Sequence, residues 1–452
     1  MEYVLLTLLI ILTFVAFFLL KCDPLSPGFL MCASFTFSAL CMIYNVQTWA
    51  IDTDYKTVFV IVLGCFSFVV GNTICQMLFS RRMSRAAARN RINYGCQGFK
   101  GNEYFHISKN YVYFVFFIDC IILLLYFVEV IRIAGFSSFS VMMYTFRQMT
   151  GFEGASVSPI VNMLVRISKA FTSVFLFYFI NNILAQKSLR SQRYLLLPVI
   201  PDLMCGLLTG GRFRLLQLIL GPIVMYGILR FIKTGKRIKV RPGLIIKIML
   251  IAVGSMLVFY QIKGLVGRVA DKNVISYVTE YFGGPIELFD VVLRGAKPYI
   301  EPEVIGRNTF ASVYRYLDKF LNMDIGPSAN PGFLTSRTLI NLGNVFTCFF
   351  NYYADFGIVG VVILSFLSGT IWSSLYYKCL SSYKSFIKIV YAFAFHGLIF
   401  QFYDEMTFMI FLSIDNWMTF FFIYLIDKYI GTRVDGTKII VAKRRSNIHV
   451  QS

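Results

Sequence analysis

The sequence predicts an all-α polytopic membrane protein of about eleven transmembrane helices with one large extracytoplasmic loop. Three observations carry that prediction. Apolar residues make up 57% of the 452 positions and charged residues only 15%, and a soluble chain of this length cannot cover so much apolar surface with so little polar surface. The apolar residues fall in runs of about 20, the length needed to cross the hydrocarbon core of a bilayer. The basic residues, which bring the net charge to +20, collect in short blocks between those runs, the pattern of the positive-inside rule. That placement accounts for the charge without a nucleic-acid partner.

The runs cover residues 3–20, 28–46, 57–79, 110–134, 159–185, 194–211, 213–232, 244–262, 346–377, 387–403 and 407–427. The first is read as a retained span. It lacks a basic leader, and no small-residue cleavage site separates it from Lys21. Starting with the N-terminus outside and alternating sides assigns 27 of the 43 Lys and Arg residues to inside segments. The largest inside blocks run from Arg81 to Lys109, from Arg230 to Lys247 and through the tail from Lys428. The C-terminus is therefore expected inside. The chain divides into an N-terminal bundle of about eight helices (1–262), an extracytoplasmic loop (263–345), about three further helices (346–430) and a basic cytoplasmic tail (431–452).

Two expected outer segments interrupt the apolar pattern, at about 135–158 and about 263–345. Connections beyond about 15 residues are usually functional or disordered. The longer one is rich in aromatic residues, among them Tyr277, Tyr281, Phe282, Tyr299, Tyr314 and Tyr316, and mixed in charge, which favours a folded segment. Of the ten cysteines most fall in apolar runs, as at Cys32, Cys41, Cys65, Cys75, Cys120 and Cys205, and none lies in the long loop. Disulfide stapling is not expected.

The most informative short stretch is Leu208-Thr209-Gly210-Gly211-Arg212-Phe213-Arg214. Its glycine pair permits a tight reversal between two helices, at an outer end where the charge rule disfavours cations. Arg212 and Arg214 present planar forks suited to phosphate oxygens, or they reach past a plain hairpin to lipid headgroups. Arg166 and Lys169, three residues apart on one helical face, lie inside a span, where ionisable groups commonly face a polar cavity. They extend the arginine pair into a basic funnel, or pair with Asp119, Glu129 or Asp202. Glu129 and Arg132 are spaced to pair with each other.

Carboxylates supply the other half of the chemistry. Tyr352-Tyr353-Ala354-Asp355-Phe356-Gly357 stands where the long loop runs into a helix. There it offers an acid among aromatics for binding sugar hydroxyls or taking a proton, or an interfacial aromatic belt with a helix-start Asp. Gly283-Gly284-Pro285 is expected to form a turn beside Glu287 and Asp290, and Asp404 and Glu405 close a short outer turn. His396, the one histidine outside the cytoplasmic parts, is a base candidate or a hydrogen-bonded structural group. One histidine and scattered carboxylates make no zinc set, so a metal-free chemistry is expected.

This layout resembles the Wzy-type oligosaccharide repeat-unit polymerases, the O-antigen and capsule polymerase family. The residues that carry the resemblance are Gly210-Gly211-Arg212, Gly283-Gly284-Pro285, and Tyr353-Ala354-Asp355-Phe356-Gly357 followed by Gly360 and Gly369. The paired Arg-rich outer loops of some members are not found here. The resemblance implies a multi-pass glycosyltransferase of the GT-C type in the bacterial inner membrane, without cofactor or metal. Its donor and acceptor would be oligosaccharides on undecaprenyl diphosphate, with a flippase and a chain-length regulator as partners. In that reading Arg212, Arg214, Arg166 and Lys169 hold the diphosphate. Asp355 is the first choice of base, followed by Glu287, Glu405 and His396, and Tyr352, Tyr353 and Tyr281 meet the sugars. One carboxylate base and no carboxylate nucleophile imply inversion at the anomeric carbon. An O-antigen ligase and a lipid-oligosaccharide flippase are the alternatives, the first favouring an outer-loop histidine and the second repeated halves with short loops.

Overall fold

The computed structural model is mostly helical. It describes residues 1–89, 103–151, 153–209, 213–235, 254, 260–261, 273–295, 304–321, 330–435 and 438–440. Among them eight helices are long and apolar enough to cross a membrane. In chain order the helices are α1 (Glu2–Leu19), α2 (Pro27–Tyr44), α3 (Tyr55–Arg89), α4 (Lys109–Ala134), α5 (Phe139–Gly151), α6 (Pro159–Leu184) and α7 (Val199–Leu208). They continue with α8 (Phe213–Thr234), α9 (Val274–Leu293), α10 (Ala311–Leu321), α11 (Cys348–Ser381), α12 (Ser385–Ile399) and α13 (Ile414–Tyr429). The candidate spans are α1 to α4, α6, α8, α11, and α12 with its extension to Phe402. The expected span 244–262, apart from residues 254, 260 and 261, and the Gly210-Gly211-Arg212 turn fall outside the described residues.

Three expectations change. The run 194–211 is not one span. A 3-10 turn, Arg193–Leu196, precedes α7, whose ten residues rise only about 15 Å, half the thickness of a hydrocarbon core. Pro198 and Pro201 explain the break, because proline is accommodated at the first turn of a helix and not within it. The run 407–427 is likewise divided, into Thr407–Phe411 and α13, where the Ser413 side chain caps the new helix by accepting from the Asn416 N–H. The third change concerns Gly283-Gly284-Pro285, which lies inside α9 and makes no turn. A Cβ on Gly283 would stand 2.5 Å from the Met42 nitrogen, so the glycine lets α9 lie directly on the α2 backbone. Pro285 removes one helical donor, and Ser38 of α2 donates to the Phe282 carbonyl at 2.6 Å.

The two ends of the bundle are built differently. At one end strand β1 (Glu103–His106) pairs antiparallel with β4 (Thr432–Asp435), which pairs with β5 (Lys438–Ile440). Asn182 of α6 fixes β1 by accepting from the Phe105 N–H and donating to its carbonyl. The other end carries α5, α9, α10 and a small hairpin of β2 (Leu334–Thr335) and β3 (Asn341–Gly343). There the Asp54 N–H donates to Asp290 at 2.8 Å, and Arg337 reaches Asp52 at 3.2 Å. The turn before α3 and the long segment before α11 therefore share this loop end.

Between the ends, α3 and α11 cross closely on small residues. A Cβ on Gly71 would strike the Phe366 carbonyl of α11, and one on Gly369 the Phe68 carbonyl of α3. In lipid, where apolar burial between helices gains little, this kind of contact is what holds helices together. Gly369→Leu is expected to destabilise the purified protein by about 1–3 kcal/mol through overpacking, read as a lower melting temperature in detergent. Leu367→Ala, on a position 41% exposed on the same helix, should leave melting unchanged. Equal melting of the two variants would contradict the close crossing.

Candidate functional site

A cavity of about 240 Å³ opens at the loop end. Its walls come from four parts of the chain: Arg147 of α5; Tyr277, Glu280 and Tyr281 of α9; Phe333 and residues 341–345 in and beside the hairpin; and Tyr403. The α9 residues share one face because their spacing is i, i+3 and i+4. Asn273 starts this helix by accepting from the Ser276 N–H at 2.7 Å, and the Gly283 contact holds it on α2. The cavity thus has one rigid wall that carries two phenols and an acid. Tyr281 stacks on Tyr403, ring centroids 4.8 Å apart, and Tyr403 meets Phe213 edge-on at 5.9 Å.

Phe213 also stands 6.2 Å from the His396 ring, which joins the cavity wall to a buried polar network. Arg214 donates from Nε to both oxygens of Asp202 at 3.0 Å and from Nη2 to Oδ2. Both residues are buried. The bland Gly206 makes the pair possible: a Cβ there would lie 2.7 Å from Arg214 Cβ and Cγ, so the arginine stem crosses α7 where it has no side chain. Arg214 Nη1 donates to Gln217 Oε1 at 3.0 Å, and Gln217 Nε2 lies 3.4 Å from His396 Nε2. His396 Nδ1 is 3.1 Å from the Phe393 carbonyl. That carbonyl only accepts, so the hydrogen sits on Nδ1, leaving Nε2 to accept from Gln217.

The structure brings some expected site residues together and separates others. Arg214 and His396 belong to the same network, and Tyr281 lines the cavity next to it. Arg166 pairs with Asp415 of α13. Lys169 lies within electrostatic reach of Asp202, Arg214 and Arg166. Glu129 and Arg132 pair with each other at 2.7 Å. Arg212 lies outside the described residues, immediately before Phe213.

None of the expected bases lines the cavity. Asp355 accepts from the Asn308 N–H, the Asn308 side chain and the Thr309 N–H, which fastens segment 304–309 to α11. It sits just before Gly357, whose φ of +62° divides α11 and is readily adopted only by glycine. Glu405 is buried. It accepts from the N–H groups of Phe408 and Met409 and from the Tyr352 hydroxyl, and burial raises its carboxyl to about 7. Tyr353 lies under the Lys56 ammonium, 5.1 Å from the ring centre. Glu287 is 0% exposed and neither of its oxygens has a hydrogen-bond partner among the described residues.

Sequence reasoning gave no role to Arg147, Glu280, Tyr403 or Gln217. The spacing of Tyr277, Glu280 and Tyr281 was available as a signal, but it gains meaning only once this segment is a helix. Among the described residues no three His, Cys, Asp or Glu side chains converge as a metal site. Compared with family models, curated proteins and solved structures, the chain matches none.

Burial, above all other causes, pushes the Glu287 carboxyl from 4.5 to about 7. The unfolded chain releases this proton at lower pH than the folded one. The group's contribution is therefore fully present below pH 4.5 and is lost as pH rises to about 7, a difference on the order of 3 kcal/mol. Glu287→Gln should melt with the wild type near pH 4.5 and above it at pH 8. A variant that melts lower than the wild type at pH 8 would show that the carboxylate is needed in its charged form.

Proposed function

We propose that this chain is a membrane glycosyltransferase that polymerises oligosaccharide repeat units carried on undecaprenyl diphosphate, on the outer face of a bacterial inner membrane. The observation that carries the reading is the cavity at the loop end. Stacked phenols offer flat apolar faces to sugar rings, while Glu280 and the amides of Asn341 and Asn344 offer hydrogen bonds to hydroxyls. Arg147 adds a cation suited to phosphate oxygens. The eight apolar helices supply the other requirement, a surface on which a lipid-borne substrate can remain in the bilayer.

In this reading the basic segments face the cytoplasm, and the N-terminus and the loop end face outward. The diphosphate is already a good leaving group and needs cationic stabilisation rather than a proton donor. Arg212 is assigned that task, because the chain puts it directly before Phe213, whose ring meets Tyr403 of the cavity wall. Arg214, held by Asp202, keeps α7 and α8 in register behind it. The acceptor hydroxyl displaces the diphosphate with inversion. A flippase supplies the units, and a chain-length regulator acts on the product.

A strain lacking this chain is expected to carry single-unit surface glycan; loss of all decoration would instead favour a ligase or a flippase. Arg212→Ala should reproduce the single-unit phenotype at normal protein level, since removing leaving-group stabilisation costs on the order of 3 kcal/mol, about a hundredfold in rate. Arg212→Lys should also be impaired, because a point charge does not reproduce the bidentate fork. Normal polymer from both variants would remove Arg212 from the reaction.

A further inference from the structure

We propose that Glu280 is the catalytic base of this transfer and that the cavity it lines is where the acceptor hydroxyl meets the donor's anomeric carbon. The inference rests on the polymerase reading and goes beyond it, because none of the carboxylates that the sequence singles out lines the cavity.

A general base has to come within about 2.6–3.2 Å of the oxygen it deprotonates. Asp355, which holds residues 308 and 309 to α11, does not line this cavity. Glu405 is buried, with both oxygens committed to the backbone of the following turn. Glu287 is fully buried, and His396 is buried with both ring nitrogens engaged. Glu280 is the one acid among the described residues of the cavity wall, and it is only partly buried.

Its setting suits the task. Glu280 sits on α9 between Tyr277 and Tyr281, so a sugar stacked on either ring presents hydroxyls at the level of the carboxylate. The helix beneath it is fixed by the Asn273 cap, the close approach of Gly283 to α2 and the Ser38 bond to the Phe282 carbonyl. A base mounted on a rigid element keeps its geometry through the reaction. Arg147 lines the same cavity, which gives one space an acid for the attacking oxygen and a cation for the leaving diphosphate.

The step balances without a co-reactant. Glu280 takes the proton of the acceptor hydroxyl as that oxygen bonds to the anomeric carbon. The bond from this carbon to the diphosphate oxygen breaks, and its electron pair leaves on undecaprenyl diphosphate. The proton then passes from Glu280 to water, and the base is restored.

The test uses the full-length protein in detergent or proteoliposomes with the lipid-linked single unit that accumulates in a strain lacking the chain. Glu280→Gln should lower kcat at least a hundredfold at pH 7, with KM within about threefold of the wild type and an unchanged melting temperature. The acid limb of the wild-type pH profile should disappear with it. Near-normal kcat in Glu280→Gln overturns the assignment, as does a loss confined to KM. Should the amide variant not fold, Glu280→Asp decides: a displaced acid limb supports the base role, and an unmoved limb overturns it. No polymer from the wild type overturns the polymerase reading itself, and the assignment falls with it.

Discussion

The ion pair between Arg214 and Asp202 is the interaction on which the rest of this structure depends. Each group stands buried among helices, where an unpaired charge is costly and a paired one is tolerated only with further hydrogen bonds. Gln217 of α8 supplies one by accepting from Arg214, and His396 of α12 in turn holds Gln217. The pair thereby ties a helix too short to cross the bilayer to one long and apolar enough to do so. It also fixes the start of α8, and so the Phe213 ring that backs Tyr403 in the cavity wall. Removing one partner would leave the other charge uncompensated, typically a loss of 3–5 kcal/mol.

Helix α9 shows how one segment serves stability and function together. Gly283, Glu287, Asp290 and Arg294 recur at steps of four, three and four and face the neighbouring helices and turns. Tyr277, Glu280 and Tyr281 face the cavity. The glycine pair that looks like a turn in sequence is the means of bringing the helix down onto α2. The buried Glu287 is the cost of that arrangement: a carboxyl that burial holds near the neutral form.

The long apolar helices were legible in the sequence, because hydropathy and length are the properties that decide whether a segment can span a bilayer. The runs at 3–20, 28–46 and 110–134 match α1, α2 and α4 within two residues. Where the reading missed, a local signal had two physical meanings. Pro198 and Pro201 stop a helix, yet the surrounding residues are apolar enough to count as a span. Gly283-Gly284-Pro285 marks either a turn or a close helix crossing, and only the partner helix decides which. Asp355 was legible as an acid beside tyrosines, but its three donors come from residues 308 and 309, distant in sequence. Glu280 was hidden because it stands in a helix interrupted by glycine, proline and acids, where the apolar periodicity fails.

These relations place a phenol-lined, acid-bearing cavity at one end of a bundle of apolar helices, and the proposed polymerase is the reading that uses all of them. Its central claim is that a glycosidic bond forms at the expense of a lipid diphosphate. The most direct measurement is the ratio of undecaprenyl diphosphate released to inter-unit linkages formed by the purified protein in proteoliposomes holding only the lipid-linked repeat unit. The account predicts one released for each linkage, with the new linkage inverted relative to the lipid-linked unit. Movement of the lipid-linked unit across the bilayer with neither release nor linkage would contradict it.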